Sequence, residues 1–273
     1  MSTAGRPRSS LWSYRFLIKN FAQRDLKSRF KGTILGWAWS LMVPLATLTT
    51  YSLVFGAFFH STAPDFGNGK TGFFAVWLLV GLIPWNFFLI TILISMPTLL
   101  ANGQLLQKVY FPSYVPVLGA AMAILVQTLI ECCILAVVLL VFGNIGLTWL
   151  LFPVWLAFFV VFVTALALSL AIVNIHVRDL AQMVNVALTL LFFLTPIIYQ
   201  ISLVPTVWNG IHFQALVRLS PITDFVVSLR QLVYDLQVPD LMTWFQLFAW
   251  AAGMVAVAYF VYQRYGLDIG ETV

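Results

Sequence analysis

Glu131 is the only acidic residue well inside a long apolar run, and it is the first group whose chemistry needs an explanation. A lone carboxylate in hydrocarbon is costly, so it must face protein or water and find a partner. Arg218 and Arg230, from a later mixed segment, are the candidate partners; a protonated carboxyl or a side chain reaching the interface are the alternatives. Pro64–Thr71 reads P-D-F-G-N-G-K-T, close to the phosphate-cradling pattern G-x-x-x-x-G-K-[ST]. A proline replaces its first glycine and no strand precedes it, whereas a phosphate loop needs strand–loop–helix geometry to aim its N–H groups at the anion. The stretch is rejected as a nucleotide site. His60, His176 and His212 lie in separate loops, with no HExxH or CxxC, so no metal site is expected. Cys132 and Cys133 are neighbours in an apolar run and read as packing residues. No nucleophile sits in a recognisable elbow, so an enzyme has no positive support.

The elements that must position these groups are apolar. Of 273 residues, 62% are hydrophobic and 8% charged, where a soluble domain carries about 25% charged residues. A lipid-facing surface accounts for that bias. A bilayer core takes about 20 apolar residues per helix, and the chain offers runs at Thr33–Phe59, Phe73–Leu100, Val117–Phe142, Trp149–Val173, Met183–Tyr199 and Leu241–Tyr262. The expectation is an all-α membrane protein of about six transmembrane helices. Residues 1–31 form a basic tail and an amphipathic helix, and residues 32–273 form a single transmembrane domain. In Leu11–Arg29 the stripe Leu11, Tyr14, Leu17, Ile18, Phe21 and Ala22 is apolar, with Arg15, Lys19, Gln23 and Arg24 largely off it. Such a helix would lie in the interface and snorkel its cations to phosphates, or serve only as a topology signal.

Eight of the 14 Lys and Arg residues precede the first run. With the N-terminus in the cytoplasm, the inner segments add Lys108, Arg178 and Arg264, and the outer ones hold only Lys70, Arg218 and Arg230. Loops rich in Lys and Arg stay cytoplasmic, so both termini are placed inside. The basic segment points to membrane lipids rather than nucleic acid. Ile201–Asp240 is too polar for a span and too apolar for a free loop. It is expected to re-enter the outer leaflet between the fifth and sixth spans, or to lie on the outer face as an amphipathic helix. Gly32, Gly36 and Ser40 form a small-xxx-small ridge suited to close helix approach, either to a second subunit or within the chain.

Four motifs, in order along nearly the whole chain, carry a resemblance. They are F-K-G-T-I-L-G-W-A-W at Phe30–Trp39, G-L-I-P-W-N-F-F at Gly81–Phe88, K-V-Y-F-P at Lys108–Pro112, and R-D-L-A-Q-M-V-N-V-A-L-T-L-L-F-F-L-T-P-I-I-Y at Arg178–Tyr199. Together they resemble the permease subunit of polysaccharide-exporting ABC transporters, which move O-antigen, capsule, teichoic acid or galactan. The resemblance implies a homodimer around a channel in the bacterial cytoplasmic membrane, driven by two cytoplasmic ATP-binding subunits. It implies no cofactor in this chain, with ATP and magnesium bound by the partner. The family's coupling element falls at Asn102–Tyr114, with Asn102, Lys108, Tyr110, Phe111 and Pro112 as contacts. Ser113 and Tyr114 stand where a charged pair often follows Pro112, and Gln107 stands beside a single Lys108.

An aromatic pair on a short helix suits a groove on a soluble partner, though aromatic residues also anchor at headgroups. Arg178 and Asp179 in the next inner turn support the same partner or form a helix-start signal. Trp37, Trp39, Trp85, Phe87 and Phe88 are candidates for stacking on sugar rings in the channel, or for lipid anchoring and packing. With Glu131, Arg218 and Arg230 they complete the channel and gate candidates. A drug- or lipid-exporting permease of the same architecture is the alternative. A membrane sugar or lipid transferase fits less, because the inner side lacks paired carboxylates.

Overall fold

A computed structural model gives the fold over residues 14–32, 36–58, 63–108, 111–177, 179–205 and 213–266. The described residues form α-helices joined by 3-10 segments and one π segment, with no β-strand among them. The helices are α1 (Arg15–Phe30), α2 (Trp39–Tyr51), α3 (Phe74–Ala101), α4 (Gly103–Lys108), α5 (Tyr114–Val141), α6 (Phe152–His176), α7 (Leu180–Leu194), α8 (Phe213–Arg218), α9 (Pro221–Val233) and α10 (Leu241–Tyr265).

Four stretches are long and apolar enough to cross a membrane: Phe74–Ala101, Tyr114–Val141, Leu147–His176 and Leu241–Tyr265. The first and fifth apolar runs give shorter helices, Met42–Phe58 and Leu180–Leu194. The fifth was expected to continue to Tyr199, but it stops at Leu194. The residue before a proline is pushed out of the α region by the pyrrolidine ring, and Thr195 is extended at φ −80° and ψ 133° ahead of Pro196.

α3 is the central element, buried along most of its length, whereas α5 is mostly part-buried or buried and α10 leaves most of its length exposed. Leu78, Val80, Phe87 and Ile92 of α3 share one core with Trp155, Phe159 and Val163 of α6 and Phe225, Val226 and Leu229 of α9. α9 is enclosed by this packing rather than lying free on a face. Large apolar residues outside the core, such as Val137, Leu190, Phe193, Phe245 and Phe260, are exposed. An all-round apolar exterior of this kind suits lipid or a second membrane subunit.

α1 packs lengthwise on α5. Ile18, Phe21 and Ala22 are buried, while Arg15, Lys19, Gln23 and Arg24 face outwards. The apolar stripe read from sequence is thus covered by protein, with Leu11 outside the described residues. Gly119 permits the contact: a Cβ there would stand 2.5 Å from the Cβ of Phe21. Of the two readings of the ridge at Gly32 and Gly36, the intrachain one is not met. Their φ angles are +79° and +50°, with nothing within 4 Å of an added Cβ. Their backbone turns the chain between α1 and α2, and neither makes a close packing contact within the chain.

Candidate functional site

At one end of the bundle, α4 forms a single-turn step between α3 and α5. Asn102 ends α3: its Nδ2 donates to the Thr98 carbonyl at 2.8 Å, and its Oδ1 accepts from Arg24 Nη1 of α1 at 3.1 Å. Lys108 closes α4 and is exposed. Phe111 is buried, with its ring 5.7 Å from that of Phe21. The cover this aromatic residue needs is therefore supplied by α1 within the chain. Pro112 is half-buried, and its carbonyl accepts from the Val115 N–H at 3.0 Å, opening α5. Ser113 Oγ donates to the Gly266 carbonyl at 3.1 Å, tying the same turn to the end of α10. Tyr114 contacts the rings of Tyr14 and Tyr262. Asp179 is exposed just before α7 and makes no side-chain capping bond. Tyr110 and Arg178 lie outside the described residues.

At the other end, Arg230 organises a knot. The residue is 6% exposed, and its guanidinium donates to the carbonyls of Pro196 and Ile197, the latter at 2.6 Å. It also lies over the ring of Trp77, 3.6 Å from the centroid. Backbone carbonyls must be satisfied inside a low-dielectric environment: Tyr199 Oη donates to the Phe193 and Leu194 carbonyls at the end of α7, and Arg230 serves the two carbonyls of the turn that follows. The tight fit explains Gly81: a Cβ there would come within 2.6 Å of Arg230 Nη2. The pairing expected between Glu131 and Arg230 is therefore not made. Arg230 is consumed by the turn after α7, and Arg218, at the end of α8, is exposed beside Asp224. Glu131 lies half-buried on α5, with the Gln127 amide one turn back against its carboxyl. Gln127 in turn accepts from Arg29 Nη1 of α1 at 3.2 Å.

Side chain–backbone bonds weld the remaining loops to α9. Asn144, fully buried, donates to the Val233 and Tyr234 carbonyls at 3.1 and 2.8 Å and accepts from the Asn68 N–H. Thr148 donates to the Leu232 carbonyl at 2.6 Å, and Tyr234 donates to the Pro64 carbonyl at 2.8 Å. Lys70 donates to the Phe142 carbonyl at 2.9 Å. The P-D-F-G-N-G-K-T stretch is thus a turn latched to its neighbours. Asp235 sits at this junction, where burial lifts its carboxyl to about 6 against the pull of Arg230.

The aromatic candidates separate. Trp85, Phe87 and Phe88 are buried, with ring contacts to Phe192, Phe159 and Phe162 respectively. They pack the core instead of standing free for a sugar ring. Trp39 is exposed, and of Trp37 only the backbone is described. Sequence reading missed Trp77, Asn144 and Tyr234, and it took Gly81 and Pro196 only as motif letters. The extended residue ahead of Pro196 was the one available signal.

The fold and these ends define a polytopic helical membrane subunit with a braced step at one end and a locked loop cluster at the other. The ABC-2 type transporter signature matches residues 17–234, and the chain belongs to that family. It is 29% identical over 232 residues to the O-antigen export system permease protein RfbA of Myxococcus xanthus, covering 84% of this chain and 85% of that protein. Two Klebsiella pneumoniae proteins of the same name are 27% and 26% identical over 218 residues, 79% of each chain.

Proposed function

We propose that this chain is the transmembrane subunit of an ATP-driven exporter that moves a lipid-linked polysaccharide of the O-antigen class across the bacterial cytoplasmic membrane. Membership of the ABC-2 family and three relatives named as O-antigen export permeases support the reading. The structural observation that carries it is the braced step. α4 lies between two spanning helices whose adjoining ends are tied, α3 to α1 through Asn102 and Arg24 and α5 to the end of α10 through Ser113 and Gly266. A push on Lys108 from a soluble subunit is passed through these two ties to α1 and α10. Phe111 transmits that push to α1 through Phe21, with Asn102, Pro112 and Asp179 as further contacts; Tyr110 and Arg178 join them by the family resemblance alone.

The working unit is a homodimer with two ATP-binding subunits, which supply ATP and magnesium. Six crossings fit the element lengths. From Gly36 to Phe58 the 3-10, α2 and π segments run without a break, roughly 30 Å at 1.5 Å per residue. α7 crosses most of the layer and continues past its break as irregular backbone. Gly81, beside that break, is roughly 10 Å along α3 from Phe74. The segment from α8 to α9 therefore re-enters at membrane depth on the outer side, and both termini lie in the cytoplasm. α1 sits at the inner interface.

The test is reconstitution with the ATP-binding subunit. Lys108→Glu should leave assembly intact but abolish export and the substrate-stimulated part of ATP hydrolysis. Export unchanged in Lys108→Glu combined with Asn102→Ala would overturn the coupling role. A wild-type complex that hydrolyses ATP but never moves a glycan would overturn the assignment.

A further inference from the structure

The bonds that hold α9 also fix how deep its two ends lie. Asn144 and Thr148 bind its C-terminal end beside the outer loops, at Leu232, Val233 and Tyr234. Further in, Trp155 Nε1 of α6 donates to the Phe225 carbonyl at 3.2 Å and to Ser228 Oγ at 3.0 Å. Trp250 Nε1 of α10 donates to Asp224 Oδ2 at 3.0 Å. From Tyr234 to Asp224 is roughly 15 Å of helix, and from Leu241 to Trp250 roughly 14 Å. Half of a hydrocarbon core is about 15 Å. Two separate measures therefore put Asp224 near the middle of the layer, with Arg218 at the deep tip of the re-entering segment.

Arg218 and Leu219 are both exposed at that tip. Arg218 acts on Asp224 electrostatically but makes no salt bridge among the described residues. A cavity of about 790 Å³ is lined by Arg218, Leu219 and Asp224 together with Leu166 and Met254, from the middle turns of α6 and α10. An uncovered guanidinium at this depth is costly against hydrocarbon, so it faces water or a polar passenger. Resident lipid headgroups stand at the edges of the layer and do not reach it. Arg218 offers a planar fork of donors that suits phosphate oxygens. Trp250 occupies Asp224 Oδ2, and among the described residues none donates to Oδ1, which leaves one acceptor for a hydroxyl.

We propose that Arg218 and Asp224 form a midway station for a glycosyl phosphate, the joint where a lipid-linked glycan carries a negative group beside sugar hydroxyls. The phosphate accepts from Arg218, and a hydroxyl of the first sugar donates to Asp224. This assignment rests on the exporter reading and names the part of the passenger that the re-entering tip recognises. A neutral sugar would leave Arg218 unmatched. A bare lipid phosphate would leave Asp224 facing a like charge.

The test uses the complex with its ATP-binding subunit in liposomes, with Cys132 and Cys133 replaced by Ala. Leu219→Cys would be exposed to a charged, water-soluble methanethiosulfonate on both sides, with and without ATP turnover. A thiol reacts through its thiolate, which forms in contact with water and not in hydrocarbon. The thiol should react, and farnesyl glucosyl phosphate should slow the reaction more than farnesyl phosphate or farnesyl glucoside. Adding Arg218→Gln should raise the protecting concentration at least about tenfold, as expected for a lost charge-assisted hydrogen bond. Adding Asp224→Ala should erase the preference for farnesyl glucosyl phosphate over farnesyl phosphate. An unprotected labelling rate equal to that of Leu219→Cys alone shows that the tip is in place in each variant. A thiol inert in both states, while Val238→Cys reacts, would put the tip against lipid or a second subunit and overturn the proposal. Equal protection by all three probes, or protection undiminished by Arg218→Gln, would overturn it equally. Labelling is read without transport, so a complex that moves glycan yet fails here loses only this station. One that hydrolyses ATP without moving glycan loses the exporter assignment.

Discussion

Arg230 carries a large share of the order at the α9 end, because it serves two turn carbonyls and one indole face at once. Arg230→Met removes both donors, and each orphaned carbonyl loses about 1–3 kcal/mol. Chemical denaturation in detergent should show a loss of roughly 2–4 kcal/mol. Arg230→Lys should recover only part, since a single ammonium lacks the planar fork that reaches both oxygens while stacking. Gly81→Ala should cost about 1–3 kcal/mol by driving a methyl into the same guanidinium. Asp235 makes a pH prediction. Its folded carboxyl titrates near 6 against an ordinary 3.8, so the folded state holds the proton more tightly than the unfolded one. Stability from this group is therefore full at low pH and falls as pH rises from about 4 to about 6. Asp235→Asn should flatten that part of a stability-versus-pH curve; an unchanged slope would remove Asp235 as the cause.

At the scale of elements, long apolar runs and turn signals were legible where local chemistry decides the outcome. α3, α5, α6 and α10 stand near their sequence positions because each apolar run is long enough to span a bilayer despite Glu131 in α5 and Pro84 and Pro97 in α3. α7 was drawn too long, although Thr195-Pro196 announced its end in the local sequence. The fate of α1 was half legible. Its stripe showed that one face is buried, but the choice between lipid and α5 depends on Gly119, far along the chain. Glu131 failed as a pair with Arg230 for a related reason: periodicity shows that a charge needs a partner, not which distant backbone groups compete for it. The α1–α5 contact can be tested directly. Gly119→Leu should push α1 off α5, so that protease cleaves after Arg24 or Lys27 faster than in wild type while the spanning helices stay protected. Equal cleavage rates would show that α1 does not depend on this close approach.

For the whole molecule, the charge count sets an expected orientation, and the two ends have distinct constructions. In a cysteine-free background, Val238→Cys, in the exposed link between α9 and α10, should react with a membrane-impermeant maleimide added outside intact cells. Lys108→Cys should react only after the membrane is opened. The reverse pattern would invert the topology. The loop cluster around Asn144, Thr148 and Tyr234 also has a biosynthetic consequence. Its crosslinks are hydrogen bonds throughout, and both cysteines of the sequence sit within α5. That cluster sets as soon as its backbone arrives, without an oxidant or a thiol exchange catalyst, so dithiothreitol should leave its protease resistance unchanged.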